Sequence, residues 1–407
     1  MFDIFSGRLL LLRMMMLGAS AMLVFIGLLC IYAAGPDESF WVKQIVFILI
    51  GTAAFIFVNT FHYRILGPLS YWIYGLVIIL LAVLVIEQFI PMPAFWRKLV
   101  PVINGSRRWI RVAGMQIQPS ELCKIAYILS LSWYLRYRNN YRRIEGLIGP
   151  FALTILAMLL ILIEPDLGTV LLMMPILFAT LFAAGAKKRH LFAIIMLGIL
   201  ASPVLWMNMH AYQRMRIAGV LLQNESVFKA AKEHPRLANI LAGGSANLNS
   251  WKRDKGYHLE NSKQAIASGG LFGYGFGKGP YLSEGKVHLP EAHNDFIFAL
   301  IAHQWGLVGC LFVFLLYCII AACGLEIAWH NIDPYGRLIA IGIISMFMVQ
   351  VVVNTSMTMG LMPITGLTLP LVSYGGSSFI VNMMAIGLLN NIGRDRPFLI
   401  ASKAFEF

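Results

Sequence analysis

The run MMMLGASAMLVFIGLLCIYAA, from Met14 to Ala34, holds 21 residues and no charge. As a helix rising 1.5 Å per residue it is about 30 Å long, the thickness of a bilayer's hydrocarbon core. Arg8 and Arg13 precede it, and its length exceeds the apolar stretch of a cleaved signal peptide, so it reads as a retained first span with the chain expected to begin near Met1. Working outward, further apolar runs of similar length lie near 41–61, 68–91, 119–137, 147–164, 166–186, 189–208, 295–324, 337–360 and 371–393. Pro165 and the pair Lys187-Lys188 punctuate the crowded middle ones. With 59% hydrophobic and only 13% charged residues in 407, the expected fold class is all-α: one polytopic integral membrane domain, residues 1–407, of about ten transmembrane helices. No tandem repeat, low-complexity tract or separate soluble domain is evident.

In a soluble protein a formal net charge of +13 would suggest nucleic acid, but here topology explains it, because basic loops stay cytoplasmic. Ten spans put both termini on one side. If that side is cytoplasmic, fourteen cations fall there, from Arg8, Arg13 and Arg64 to Arg394, Arg396 and Lys403. The five cysteines, Cys30, Cys123, Cys310, Cys318 and Cys323, lie in or beside apolar segments without disulfide or thiolate-metal spacing.

One external loop breaks the charge rule. Between the third and fourth spans stand Arg97, Lys98, Arg107, Arg108 and Arg111, with no acid from Ile90 to Gln118. By charge count this is an external anion site, suited to phosphate or pyrophosphate; the plainer alternative is a solvated loop. The fourth span opens Gln118-Pro119-Ser120-Glu121-Leu122-Cys123-Lys124. Proline suits a helix's first turn, and Glu121 and Lys124, three apart, share a face and can pair. Glu164-Pro165-Asp166-Leu167-Gly168-Thr169 reads as turn chemistry with a polar contact to another span.

A long polar region of about 85 residues, 208–292, separates spans seven and eight and is expected to lie outside. It carries eleven Lys or Arg against six acids. Tyr212 to Leu222 reads as an amphipathic helix with Arg214 and Arg216, and 224–255 as a polar, mobile middle. The glycine-rich stretch from Gly269 to Gly279 has Phe272 and Gly279 where a Walker loop needs Gly and Ser or Thr, so its glycines are expected to let backbone approach backbone or ligand closely. His288, Glu291 and His293 lack zincin spacing. Then comes Leu289-Pro-Glu-Ala-His-Asn-Asp-Phe-Ile-Phe298, which delivers ionisable groups to a membrane boundary, an expensive place for idle charge. The eighth span is expected to start at Asp295, either as a helix cap or as a functional carboxylate. The uncharged turn from Gly360 to Ser378, rich in Gly, Pro and hydroxyls, is either a buried re-entrant turn or a substrate contact, with Ser377 a candidate.

These blocks, in this order, resemble the SEDS family of FtsW/RodA-type bacterial membrane proteins from about Leu17 to Ile392. The resemblance rests on Asn104-Gly105 with Arg108-Trp109-Ile110, Gln118 to Lys124, Glu164 to Thr169, Tyr212 to Ile217, Ala265 to Gly270, Leu289 to Phe298 and Pro363 to Ser377. The wording of Leu289 to Asp295 and of Gly366 to Tyr374 leans slightly toward FtsW. Gln116 departs from a basic residue usual in the family, a gap that Arg107 or Arg111 would fill, and Tyr257 to Ser262 departs from the usual Tyr-Gln-x-x-Gln-Ser.

The resemblance implies a peptidoglycan glycosyltransferase polymerising lipid II for cell-wall synthesis in division or elongation, with Asp295 as catalytic base and Arg108, Glu121, Lys124 and Arg216 at functional or substrate-contact positions. Arg107 and Arg111 join them as pyrophosphate candidates. A divalent cation, Mg or Mn, is the one cofactor under consideration. The implied partner is a class B penicillin-binding protein transpeptidase, and the implied location the bacterial cytoplasmic (inner) membrane with both termini cytoplasmic. The rival readings are a flippase of a polyprenyl-linked precursor and a scaffold for wall-synthesis proteins.

Overall fold

The structure, a computed structural model, describes residues 9–35, 39–89, 99–102, 107–112, 115–138, 142–209, 211–253, 255–282, 289 and 292–394. Arg97, Lys98, His288 and Glu291 lie outside the described residues. Within them, ten helices stand at the expected membrane positions: α1 (Leu10–Ala34), α2 (Phe40–Thr60), α3 (Leu66–Phe89), α4 (Pro119–Leu135), α5 (Ile148–Ile163), α6 (Leu167–Ala184) and α7 (Lys188–Asn208), then, beyond the long loop, α13 (Ile297–His330), α14 (Pro334–Thr358) and α15 (Gly376–Ile392). Seven segments are long and apolar enough to cross a membrane on composition alone; α4, α7 and α15 complete the ten.

α4 and α14 form the middle of the bundle. Nearly every side chain of α4 is buried, including its polar ones, whereas α7 turns most of its residues outward. α3 packs on α4, α15 on α2, α1 on α13, and α14 touches α4, α6 and α13. At the end holding Arg13, a polar knot joins three helices. The Arg13 Nε donates to Asn390 Oδ1 at 2.9 Å, Asn390 Nδ2 to Asn59 Oδ1 at 2.7 Å, and Arg394 Nη1 to the Asn59 carbonyl at 3.0 Å. In apolar surroundings such groups are tolerated only when paired in this way.

The long loop departs from expectation. Its middle is not an unstructured tract: α8 (Ala211–Leu222), α9 (Glu225–Glu233), α10 (Pro235–Ala242), α11 (Ser245–Arg253) and α12 (Lys255–Gly269) follow one another. Short helices are marginal alone, and these gain a small core of their own from Ala218, Leu222, Ala231, Leu241, Ala242, Leu248 and Trp251. Asn224 caps α9 through Ser226 N–H at 2.9 Å, and Gly243, with φ 73°, ends α10.

The glycines after α12 do what their spacing suggested. α13 is broken at Gly306, where φ is 62° and ψ −158°. The groups released by the break are taken up by residues 270–275. Tyr274 N–H donates to the His303 carbonyl at 3.1 Å and Gly275 N–H to that of Gln304 at 2.9 Å; in return Leu307 N–H reaches the Gly270 carbonyl at 2.9 Å and Val308 N–H that of Leu271 at 3.1 Å. A Cβ on Gly306 would collide with the backbone of Leu271 and Gly273. Gly306→Ala is therefore expected to lose about 1–3 kcal/mol from backbone strain alone, with collision adding to it. A lowered thermal midpoint in detergent checks this against Gly198→Ala, where nothing lies within 4 Å of the added methyl.

Candidate active site

Three consecutive carbonyls hold the turn that carries Asp295. Tyr374 N–H donates to the His293 carbonyl at 2.9 Å, Ser373 Oγ to that of Asn294 at 2.8 Å, and Asn354 Nδ2 to that of Asp295 at 3.0 Å. Asn354 also donates to the Leu367 carbonyl at 2.6 Å, so α14 ties the turn to the Gly360–Ser378 segment. The His293 ring stacks on Phe40 at 4.3 Å and meets Tyr374 edge-on at 5.6 Å. α13 begins at Ile297 with Phe296 in the N-cap position and no side-chain cap bond. The expected start at Asp295 thus moves by two residues, and Asp295 lies half-buried in the turn just before the helix. The Asp295 Oδ2 stands 3.5 Å from where a Cβ on Gly366 would lie, and the Gly366 φ of 77° is one that only glycine adopts easily.

The same turn reaches the start of α6. Gly168 leaves no room for a side chain beside Leu367 and the Thr365 carbonyl, which brings the Glu164–Thr169 block alongside. There Asp166 is saturated: Gln118 Nε2 at 3.0 Å, Ser120 Oγ at 2.9 Å and Thr169 Oγ1 at 2.9 Å converge on Oδ2, and Thr169 N–H at 3.2 Å donates to Oδ1. Glu164, fully buried, has no hydrogen-bond partner on either oxygen among the described residues. Burial pushes its carboxyl up from 4.5 to about 9; Asp166 pushes the same way, and the Arg108 guanidinium opposes both. Between those two pH values the folded chain holds a proton that the unfolded chain has lost. This stability is present in full below pH 4.5 and falls as pH rises toward 9. Glu164→Gln is expected to flatten that fall, read as the thermal midpoint across pH 5 to 9. The polar contact to another span expected of this block is the one Asp166 makes with Gln118 and Ser120; for the buried Glu164, the paired carboxylates of a Glu-x-Asp are the signal in the sequence.

The cations divide. Arg108 Nη2 donates to the Pro165 carbonyl at 2.7 Å, which sets its half-buried guanidinium beside the Glu164–Asp166 turn. Arg111 is exposed on β1 (Ile110–Val112), directly across the hairpin from Gln116 on β2 (Met115–Ile117). Cross-strand partners share a face, so Arg111 stands where the family's missing cation was noted. Arg107 is a correction to the reading of an unneutralised loop: its Nη1 pairs with Glu87 Oε1 at 3.0 Å and with the Glu87 carbonyl at 3.1 Å. Glu87 lies just before the stretch counted as free of acid, and the turn of α3 brings it back. Arg216, on α8, lines a small cleft with Met362, Pro363 and Ile364.

Glu121 and Lys124 pair as their spacing suggested, at 2.6 Å, with Lys124 fully buried. That burial makes Lys124 a residue that fixes Glu121 and the local field rather than one in contact with solvent-borne phosphate. Ser377 is also committed: its hydroxyl accepts from Gln118 N–H at 3.0 Å and donates to the Gln116 carbonyl at 2.9 Å. It clamps the hairpin to α15. Among the described residues no three His, Cys, Asp or Glu side chains gather as a metal cage. A divalent cation would need phosphate oxygens of a ligand to complete its shell.

The comparisons with known proteins follow this geometry. The family model described as "Cell cycle protein", covering FtsW, RodA and SpoVE, matches residues 7–397. The chain is 31% identical to peptidoglycan glycosyltransferase RodA of Treponema pallidum, over 91% of this chain and 94% of that one. It is also 31% identical to stage V sporulation protein E of Bacillus subtilis, over 92% and 94%, and to the probable peptidoglycan glycosyltransferase FtsW of the same organism, over 87% and 81%. Identity therefore does not separate the branches. Among solved structures, a chain of a peptidoglycan synthase complex superposes with TM-score 0.73 at 28% identity, covering 93% of this chain and 97% of that one. The rod shape determining protein RodA of Thermus thermophilus gives 0.64 at 27%, over 94% and 96%. Ten spans, a helical loop between the seventh and eighth, and a family match across almost the entire length lead to one assignment: the chain belongs to the FtsW/RodA/SpoVE family of cell cycle proteins.

Proposed function

We propose that this chain is a peptidoglycan glycosyltransferase that polymerises lipid II into glycan strands. The observation that carries the reading is the triple grip on residues 293–295, which fixes the turn bearing Asp295 against the Gly360–Ser378 segment. Asp295 takes the proton of the acceptor sugar's 4-hydroxyl as that oxygen attacks the donor's anomeric carbon. The bond from that carbon to the polyprenyl pyrophosphate breaks, with inversion. The charge growing on the departing pyrophosphate is met by Arg108, Arg111 and Arg216, the general acid–base and electrostatic halves of one displacement. Glu121, held by Lys124, and the protonated Glu164 beside Arg108 tune the field around that anion. The reading assigns no step to a metal ion.

The relatives named peptidoglycan glycosyltransferase support the reaction class. The similar structure concerned with coordinating polymerization and crosslinking supports a class B penicillin-binding protein as partner. The basic residues gathered at the termini and even-numbered turns support cytoplasmic termini in the bacterial inner membrane. The test is to give the purified protein lipid II and look for long glycan on a gel. Polymer is expected; labelled lipid moved across a vesicle bilayer but left monomeric would overturn the reading in favour of a flippase.

A further inference from the structure

A cavity lies in the helical loop, lined by none of the residues that the mechanism uses. It encloses about 420 Å³ between α8, α9, α11 and α12, within the size range of small-ligand sites. Its floor is apolar: Leu222, Trp251 and Leu259 are buried there, with Phe228 half-buried beside them. Its rim is charged with both signs. Lys229, Lys252 and Lys263 stand on it with Glu225 and Glu260, all exposed. Glu225 and Lys229 are four apart on α9, a spacing at which such side chains commonly pair. Among the described residues none of these five forms an ion pair. The lysines are otherwise only lightly engaged, Lys252 over the Phe228 ring at 4.8 Å and Lys263 with Gln223 Oε1 at 3.1 Å.

We propose that this cavity binds a short zwitterionic peptide, one bearing carboxylates and a side-chain amine, and that in the reaction the peptide is the stem carried by lipid II. The second half rests on the glycosyltransferase reading. Separated lysines and glutamates above an apolar floor match a ligand with both charges and aliphatic carbon between them; a purely anionic glycan would leave Glu225 and Glu260 opposed. Position supports it too. Trp251 and Leu259 form one wall of this cavity and also wall the small cleft where Arg216 meets Met362, Pro363 and Ile364. Two residues further on, a Cβ on Gly366 would stand 3.5 Å from Asp295 Oδ2. A five-residue stem, reaching up to about 17 Å when extended, crosses that wall while its sugar stays at Asp295. The stem then anchors lipid II equally in the ground state and the transition state, a uniform contribution to binding.

The full-length protein in nanodiscs tests this with the tripeptide alanyl-γ-glutamyl-lysine as probe, followed by saturation-transfer NMR. The wild-type protein is expected to bind it, and Lys229→Glu with Lys252→Glu to weaken it at least tenfold. In polymerisation, the same double variant should raise KM for lipid II at unchanged kcat and leave unchanged the turnover of a lipid-linked disaccharide lacking the peptide, which also verifies that the variant is folded. Equal peptide binding by wild type and variant, no binding by either, or equal losses on both lipids would overturn the proposal. If the variant instead loses the partner transpeptidase while the tripeptide never binds, the cavity is a protein interface and the proposal is likewise overturned. A wild-type protein that binds the tripeptide but makes no polymer would remove the glycosyltransferase reading and leave the peptide site standing.

Discussion

Asp295→Asn is expected to stop glycan polymerisation, with a fall of at least a hundredfold in rate, while the protein still purifies as a folded, monodisperse membrane protein. General-base catalysis is worth about 10²–10⁴-fold, and the amide has no basic oxygen to replace it. Folding should survive because the turn is held by its backbone carbonyls, which Tyr374, Ser373 and Asn354 grip regardless of the side chain at 295. Asparagine is also nearly isosteric with aspartate, so it fits the space beside Gly366. The two measurements are polymer length on a gel and the thermal midpoint. Near-normal polymer from this variant would sink the assignment of Asp295.

The second large effect concerns stability. Lys124→Met leaves Glu121 in the bundle without its 2.6 Å partner. Breaking a buried ion pair by removing one member typically costs about 3–5 kcal/mol, whereas replacing both with uncharged residues of similar shape is often neutral. Lys124→Met alone should therefore unfold at clearly lower temperature than Lys124→Met combined with Glu121→Gln. Polymerisation should stay low in both, since the double variant restores stability but not the carboxylate. A single variant as stable as the double one would mean that the pair is solvated and not part of the bundle's interior.

The spans were legible because run length is a one-dimensional signal: the predicted and observed ends of α1, α2 and α3 differ by four residues or fewer. The Glu121–Lys124 pair was legible for a related reason, as its spacing is fixed by the helix. What failed was whatever depends on chain returning from a distance. Glu87 is remote from Arg107 in a loop count yet closes on it in space. The segment 224–255 has too few apolar residues per helix to announce a core, and it acquires one only when Trp251, Leu248 and Leu241 from separate helices meet. Glu164 gave no sign of burial because its neighbours in sequence are turn formers, and the groups that enclose it come from α4 and the basic loop. Ser377 looked like one of several interchangeable hydroxyls until β2 was seen to lie against it.

The break at Gly306 bears on how the bundle moves. A helix interrupted by unpaired groups is a hinge, because water or a neighbour can exchange at the gap and the two halves pivot. Here two freed carbonyls and two freed amides are stitched to residues 270–275, so bending would break four backbone hydrogen bonds at once. The interruption is accordingly an elbow of fixed angle, and the two halves of α13 travel together with the end of the loop as one rigid strut. Asp295 sits at the tip of that strut. Any opening that admits a lipid tail or releases a growing strand must therefore come from helices on the other side of the site, leaving the base as the stationary point past which the polymer is drawn.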